Sequence, residues 1–214
     1  IENLIKIVKK TKISKITLVY GKNYHLYKKL KISLIKNQKF KTTNMLYSLF
    51  CSLKELKNNI IISYTDINFS QKIINRIFKE DDFISIVVDK NWKNYWKKRS
   101  LNYLNDIETL KINKKGFIDN IGQKVINEKI DVQGQYIGLI KIPKKLIKNI
   151  KEELINLSKK GKINNIKFEK AYMTDFLNYL IQKGYLLKPV FLEHEWIEVD
   201  TLKDYKSMVT STRF

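Results

Sequence analysis

Two short runs of β-branched residues constrain the fold of this chain more than any other feature. One lies in "NNIIISYTDINF", residues 58–69, and the other is "FISIVVD", residues 83–89. Continuous apolar runs of this length are typical of strands that are covered on both faces. Between the two runs, Ser70 opens the amphipathic segment "SQKIINRIFKE", which has helical spacing. The pattern therefore predicts buried strands in a sheet, with a helix connecting them.

The alternation of helix and strand extends along the chain. "IENLIKIVKKT" has helical spacing, and "KITLVYG" after it is typical of a buried strand. Apolar and polar residues alternate around Lys115 and Gly116, which predicts a β-hairpin. Pro143 is placed to begin a helix, and Gly184 to end another. With no repeat and no linker rich in glycine, serine or proline, we expect a layered α/β fold with a mainly parallel sheet, in one domain spanning residues 1–214.

The formal net charge of +21 raises the question of nucleic-acid binding. Nearly all of the positive charge is lysine, and arginine occurs only at Arg76, Arg99 and Arg213. Arginine is the residue that reads base edges with two hydrogen bonds, and the lysines here are spread along the chain. We interpret the charge as a solvated lysine surface, compatible with an anionic substrate in a local cleft, and expect no nucleic-acid partner.

The compartment is predicted from cysteine content and hydropathy. The single cysteine, Cys51, cannot form an internal disulfide or a cysteine-based metal cluster. No apolar run approaches the length of a membrane helix, and no signal-peptide pattern opens the sequence. These features predict a soluble, cytoplasmic protein with no membrane partner, and they leave its oligomeric state open.

Two acidic residues stand at the ends of apolar strands. Asp66 follows the isoleucine run, and Asp200 follows "WIEV". Because open parallel sheets bind ligands at the carboxyl ends of their strands, we expect both carboxylates at one edge of the sheet. Two carboxylates make a hard oxygen site that suits Mg²⁺. An aspartate after a strand is also a common turn or cap residue, and the pattern alone leaves both interpretations open.

Five segments occur here in an order that resembles a known enzyme family: "IIISYTDINFSQKIINRI", "ISIVVDKNWKNYWKKR", "DIETLKI", "GQYIGLIKI" and "WIEVDTLKDY". They look like the nucleotidyltransferases that activate sugar phosphates or phosphocholine, and most like the phosphocholine cytidylyltransferase-like branch. The resemblance covers nearly the whole chain. It implies a Rossmann-like, three-layer α/β fold with a mixed, mainly parallel sheet.

The resemblance also implies a reaction. In this family, a phosphate oxygen of the acceptor attacks the α-phosphorus of a nucleoside triphosphate and expels pyrophosphate. It implies a nucleoside triphosphate, with CTP favoured, and a phosphorylated small-molecule acceptor such as phosphocholine, a phosphonate or a sugar phosphate.

The family's metal ligands map onto specific residues. The acid that ends its Y-x-D strand and the acid of its W-x-E-x-D-T segment hold the catalytic Mg²⁺, which implies Asp66 and Asp200 here, with Glu198 as a second candidate. A metal at this point suits a reaction that builds charge on phosphoryl oxygens. Lys124 matches a family lysine that clamps the acceptor phosphate, although Gln123 departs from the family's double lysine.

Four further positions match the family site. Thr43 and Asn44 match a helix start near the base and ribose, where free N–H groups are available, but ordinary helix capping explains them equally well. Gly138 matches a glycine beside the acceptor, and strand packing is its alternative explanation. Trp196 is expected in the core or in the wall of a substrate cleft.

One part of the family pattern has no counterpart in the sequence. The family opens with a strand and a glycine-rich loop that wraps the triphosphate, and "IENLIKIVKKTKISKITLVYG" resembles the helix and strand that follow it. We therefore expect residues 1–214 to form a nucleotidyltransferase-like domain without that strand and loop, and to be inactive or nearly so alone. An open strand edge or a gap in the sheet is expected as well.

Two other functions remain open from the sequence. A non-catalytic remnant or binding module that recognises a phosphorylated ligand would keep the same fold. A basic nucleic-acid-binding protein is the third possibility, and the dispersed lysines argue against it.

Overall fold

The computed structural model describes residues 1–99, 103–193 and 195–210. Its helices are α1 (Glu2–Lys9), α2 (Tyr24–Lys28), α3 (Met45–Cys51), α4 (Gln71–Phe78), α5 (Trp92–Arg99), α6 (Glu128–Asp131), α7 (Lys144–Lys160), α8 (Met173–Gln182) and α9 (Leu202–Thr210). Its strands are β1 (Thr17–Tyr20), β2 (Ser33–Lys36), β3 (Ile60–Ser63), β4 (Ile67–Phe69), β5 (Ile84–Asp89), β6 (Glu108–Ile112), β7 (Ile118–Lys124), β8 (Gln135–Ile142), β9 (Lys162–Ile163), β10 (Ile166–Lys167), β11 (Leu187–Leu192) and β12 (Trp196–Glu198).

The central sheet has six strands in the order β3-β8-β5-β11-β7-β6. It is mixed, as predicted: β3, β5, β11 and β6 run in one direction, and β8 and β7 run in the other. Four of the six strands thus share a direction. Of the adjacent strands in this sheet, β5 and β11 pair in parallel, and the other adjacent pairs are antiparallel. The antiparallel contacts come from β8 and from the predicted hairpin of β6 and β7 around Gly116.

Helices cover both faces of the sheet. The side chains of β5 alternate, so that Ile84, Ile86 and Val88 face one side and Val87 faces the other. The first face packs against α3, α7 and α8, and the second against α1 and α4. All six residues of β5 are buried, as the continuous β-branched run predicted. The fold is therefore the expected three-layer α/β arrangement.

Three pairs of strands accompany the six-stranded sheet in the described part of the chain, and one of them is the antiparallel pair of β9 and β10. β1 and β2 form a separate parallel pair. β3 stands at one end of the six-stranded order, so within the described residues the edge that faces away from β8 has no strand partner. β4 and β12 form an antiparallel ribbon in which Glu198 lies opposite Ile67 and Trp196 opposite Phe69. This ribbon joins two segments that are far apart in sequence.

The predicted end of α8 and the predicted start of α9 are confirmed, and the predicted start of α7 is shifted by one residue. Thr201 and Asp204 cap the start of α9 reciprocally, since each backbone N–H donates to the other's side chain. Pro143 precedes the first residue of α7 rather than occupying it. Gly184 follows the end of α8 in the left-handed conformation that favours glycine. None of the helices in the described part of the chain is long and apolar enough to cross a membrane.

Candidate active site

A cluster of three carboxylates lies at one end of the β4–β12 ribbon. Asp66 immediately precedes β4, and Glu198 ends β12. The backbone N–H of Val199 donates to the carbonyl of Asp66 at 2.8 Å, which extends the ladder by one step. One oxygen from each of Asp66, Glu198 and Asp200 lies within 4.8 Å of the others. Among the described residues, this is the one group of histidine, cysteine, aspartate and glutamate side chains arranged to hold a metal ion.

The carboxylates meet for a different reason from the one predicted. The sequence placed Asp66 and Asp200 at the carboxyl ends of neighbouring strands in a parallel sheet. In the structure, Asp66 lies in the bend between β3 and β4, and Asp200 follows β12, which belongs to the two-stranded ribbon. Antiparallel pairing puts the start of one strand beside the end of its partner, so the ribbon itself brings the two acids together.

Burial and neighbouring charges both raise the pKa values of acids in the cluster. Partial burial raises the pKa of Asp66, and the neighbouring Asp200 carboxylate raises it further. Burial also raises the pKa of Glu198, while Arg99 acts in the opposite direction. Asp66 keeps exposed surface, yet the surrounding protein displaces enough water to penalise its charge. Acids held in this way favour a cation nearby.

Arg99 is the site residue that sequence reasoning missed. It ends α5, and its guanidinium contacts Glu198, Asp200 and Asp204, with Nη2 at 2.6 Å from Oδ2 of Asp200. Its side chain is only 11% exposed. Two signals pointed to it: it is one of three arginines in a lysine-rich chain, and it ends one of the segments that resemble the family.

Aromatic side chains position β12, the strand that carries Glu198. Trp196 is 3% exposed, and its indole N–H donates to Asp89 at 2.8 Å. The ring of Tyr95 packs against Trp196 at 4.9 Å between centroids, and the Tyr95 hydroxyl accepts from the backbone N–H of Glu198. Of the two roles left open for Trp196, its burial favours the core. It fixes β12, and a direct contact with substrate stays a prediction.

Tyr64 precedes Asp66 by two residues and packs against β8, where its ring lies 5.9 Å from that of Tyr136. Burial raises the pKa of Tyr64 well above the ordinary value, and the negative charges of Glu108, Asp66 and Glu198 raise it further. Gly138 makes room for this ring: it has φ +84°, and a Cβ there would lie 2.6 Å from the Tyr64 ring. Packing therefore explains the glycine, and a role for Gly138 beside the acceptor stays a prediction.

Lys124 stands on the hairpin of β6 and β7. It is exposed, ends β7 and lies opposite Glu108 in the ladder. Glu108 is fixed in turn by Gln135, whose amide exchanges two hydrogen bonds with the Glu108 backbone. The ladder therefore places Lys124 beside Glu108, and this pairing fixes its position on the hairpin. Its role at an acceptor phosphate stays a prediction.

Thr43 and Asn44 precede α3 as predicted, but neither side chain caps it. The Thr43 hydroxyl donates to the carbonyl of Lys39 and accepts from the Asn37 amide. The Asn44 amide donates to the carbonyl of Lys170 at 2.7 Å. Both side chains therefore tie neighbouring segments together, and a contact with a base or ribose stays a prediction.

No family model matches the sequence. A curated relative, CTP:phosphoglutamine cytidylyltransferase of Campylobacter jejuni, is 35% identical over 179 residues, which cover 81% of this chain and 70% of that protein.

Solved structures share the fold. The inositol-1-phosphate CTP transferase of T. maritima matches with a TM-score of 0.69 at 18% identity, over 96% of this chain and 80% of that one. A CTP:phosphocholine cytidylyltransferase from Streptococcus pneumoniae matches with a TM-score of 0.65 at 16% identity, over 95% and 81%. At these identities the likeness establishes architecture, whereas the similarity to the curated relative establishes descent. The chain is an enzyme of the nucleotidyltransferase family, within its cytidylyltransferase-like members.

Proposed function

We propose that this chain transfers a cytidylyl group from CTP to the phosphate of a small acceptor and releases pyrophosphate. The observation that carries the proposal is the convergence of Asp66, Glu198 and Asp200 within a nucleotidyltransferase fold. An oxygen of the acceptor phosphate forms a bond to the α-phosphorus of CTP. The bond from that phosphorus to the bridging oxygen breaks, and pyrophosphate leaves with the electron pair.

The carboxylate cluster fits Mg²⁺. Two oxygens bound to one Mg²⁺ lie at most about 4.2 Å apart, since each bond is about 2.1 Å long. The three carboxylate oxygens lie within 4.8 Å of one another, so small side-chain rotations are enough to reach that geometry. Asp66 and Asp200 would be the main ligands, with Glu198 as the third. A bound Mg²⁺ would supply positive charge to the phosphoryl oxygens as negative charge develops on them.

The relatives support a phosphorylated acceptor of low mass. By their names, the curated relative acts on phosphoglutamine, and the solved structures act on inositol phosphate or phosphocholine. The relative at 35% identity makes phosphoglutamine the first acceptor to test. Phosphocholine, a phosphonate and a sugar phosphate follow.

The test is pyrophosphate release by the whole gene product that contains residues 1–214. Four nucleoside triphosphates are crossed with the four acceptor classes in the presence of Mg²⁺. We expect release with CTP and one phosphorylated acceptor, and much less with the other nucleotides. Binding of phosphorylated ligands without release in any combination would contradict the proposal and favour the non-catalytic binding module.

In the same assay, Lys124→Ala should selectively impair the use of acceptor. A phosphate contact present in ground and transition states raises KM, and one that strengthens in the transition state lowers kcat. We expect a loss on the order of tenfold in kcat/KM for the acceptor, with little change in KM for CTP. Lys114→Ala, an exposed lysine at the turn of the same hairpin, is the matched control. Equal damage to the use of both substrates would contradict this role for Lys124.

A further inference from the structure

Arg99 holds two of the three candidate metal ligands at once. Its Nη1 contacts Glu198, and its Nη2 lies 2.6 Å from Oδ2 of Asp200. Both carboxylates are thus engaged by a cation that belongs to the protein itself. Among the described residues, Arg99 makes no hydrogen bond to the third candidate ligand, Asp66, although its charge acts on that carboxylate.

Arg99 also has an anchor that is independent of those two ligands. Its Nε lies 3.2 Å from Asp204, which is not among the candidate metal ligands. Asp204 is itself fixed by Thr201, whose backbone N–H and hydroxyl both donate to it. The guanidinium further lies 4.9 Å above the ring of Trp96. The arginine can therefore keep its place when Glu198 and Asp200 turn towards another cation.

A metal ion and Arg99 would compete for the same two carboxylates, Glu198 and Asp200. Binding of a divalent cation by Glu198 and Asp200 weakens their ion pairs with Arg99, and it places two positive charges beside a guanidinium that is largely shielded from water. Both effects reduce the affinity for the metal. In the absence of metal, the same ion pairs offset the repulsion among the carboxylates.

We propose that Arg99 is a built-in competitor of the metal: it holds Glu198 and Asp200 in the metal-free protein and weakens metal binding to the cluster. The inference rests on the proposed function, because it takes the cluster to be the metal site. Its consequence is that free Mg²⁺ binds weakly and needs the negative charge of the nucleotide phosphates to complete the site. The competing view, in which Arg99 only orients the ligands, predicts the opposite change on removal of the charge.

The test is Mg²⁺ titration by calorimetry into the nucleotide-free gene product and its variants. Arg99→Met removes the charge and keeps an unbranched side chain, so we expect Mg²⁺ to bind about tenfold more tightly. Arg99→Lys keeps the charge without the fork and should lie between. Arg76→Met removes an arginine whose guanidinium donates to the carbonyl of Phe191, away from the cluster, and should leave the affinity unchanged. Unchanged or weaker binding by Arg99→Met would overturn the inference.

Thermal melting provides a second readout. In EDTA, Arg99→Met should melt at a lower temperature than the wild type, because the carboxylates have lost their counter-ion. On addition of Mg²⁺ it should gain more stability than the wild type does. A smaller gain than that of the wild type would count against competition.

A third measurement uses the unmodified protein, in case Arg99→Met does not fold. The chain has three arginines, so ¹⁵N-arginine labelling gives few side-chain Nε–H signals, and Arg76→Lys and Arg99→Lys assign them. The Arg99 signal should move with the same midpoint as Mg²⁺ binding, while the Arg76 signal stays in place. Mg²⁺ binding with an unmoved Arg99 signal would overturn this inference alone. Absence of Mg²⁺ binding by the wild type would overturn the metal site of the proposed function as well.

Discussion

At the scale of single residues, Lys141 and Asp131 are each stabilised by backbone groups as well as by a counter-ion. Lys141 on β8 is fully buried, and its ammonium donates to the carbonyls of Phe78 and Glu80 and to the carboxylate of Asp81. It thereby satisfies carbonyls at the end of α4. Nothing in the residue type separates this lysine from the many on the surface, so its role could not be predicted from the sequence.

Asp131 supplies a prediction at this scale. Backbone N–H groups of Asn127 and Ile126, together with Lys111, lower the pKa of Asp131 to about 2 from 3.8. A lowered folded-state pKa means that the unfolded chain binds the proton more readily, so this carboxylate adds stability above pH 3.8 and loses it as the pH falls towards 2. We expect Asp131→Asn to reduce the free energy of unfolding by a constant amount from pH 7 to about pH 4.

The measurement is urea denaturation of wild type and variant from pH 7 down to about pH 2. Below pH 4 the two curves should converge, because the wild-type carboxylate also becomes neutral. Asp119→Asn, which removes an exposed carboxylate of β7, is the control for the loss of one surface charge. A difference for Asp131→Asn that persists unchanged at low pH would show that its effect is steric.

At the scale of elements, the sequence predicted what local patterns determine and missed what distant pairing determines. The run at 84–88 and the hairpin at Gly116 were predictable, because burial period and turn chemistry are local. The β4–β12 ribbon was not, since each strand has three residues and the partners are more than 120 positions apart. Asp66 and Asp200 were therefore identified by resemblance and position, while the reason for their meeting emerged only from the structure.

Gly138 in β8 supports a prediction about the element beside the site. Alanine at φ +84° costs about 1–2 kcal/mol in backbone strain, and its Cβ would collide with Tyr64, which adds about 1–3 kcal/mol. Gly161→Ala is the matched control, because that glycine has φ +71° and nothing within 4 Å of a Cβ. We expect urea denaturation to show that Gly138→Ala loses clearly more stability than Gly161→Ala. Equal losses would mean that the contact with Tyr64 is absent.

At the scale of the whole molecule, the acidic cluster is a local concentration of negative charge in a chain with a large positive net charge. The net charge of +21 favours approach of anionic substrates from any direction. The cluster reverses that sign locally, and we propose that a divalent cation binds there. Segments around Asp66, Arg99 and Glu198–Asp204 build it, and the three-layer core holds them in register. Composition predicted the general attraction, but the local reversal of charge depends on tertiary structure.

The most direct measurement of the central claim is the Mg²⁺ dependence of pyrophosphate release by the wild type, Asp66→Asn and Asp200→Asn, with Asp119→Asn as control. At limiting Mg²⁺ we expect each cluster variant to lose on the order of a hundredfold in rate, while Asp119→Asn stays near the wild type. The fold should remain intact by circular dichroism. Without metal, Asp66→Asn should hold or gain thermal stability, because burial and Asp200 penalise its charge, whereas Asp200→Asn also loses an ion pair to Arg99. Near-normal rates for both variants at limiting Mg²⁺ would contradict the account.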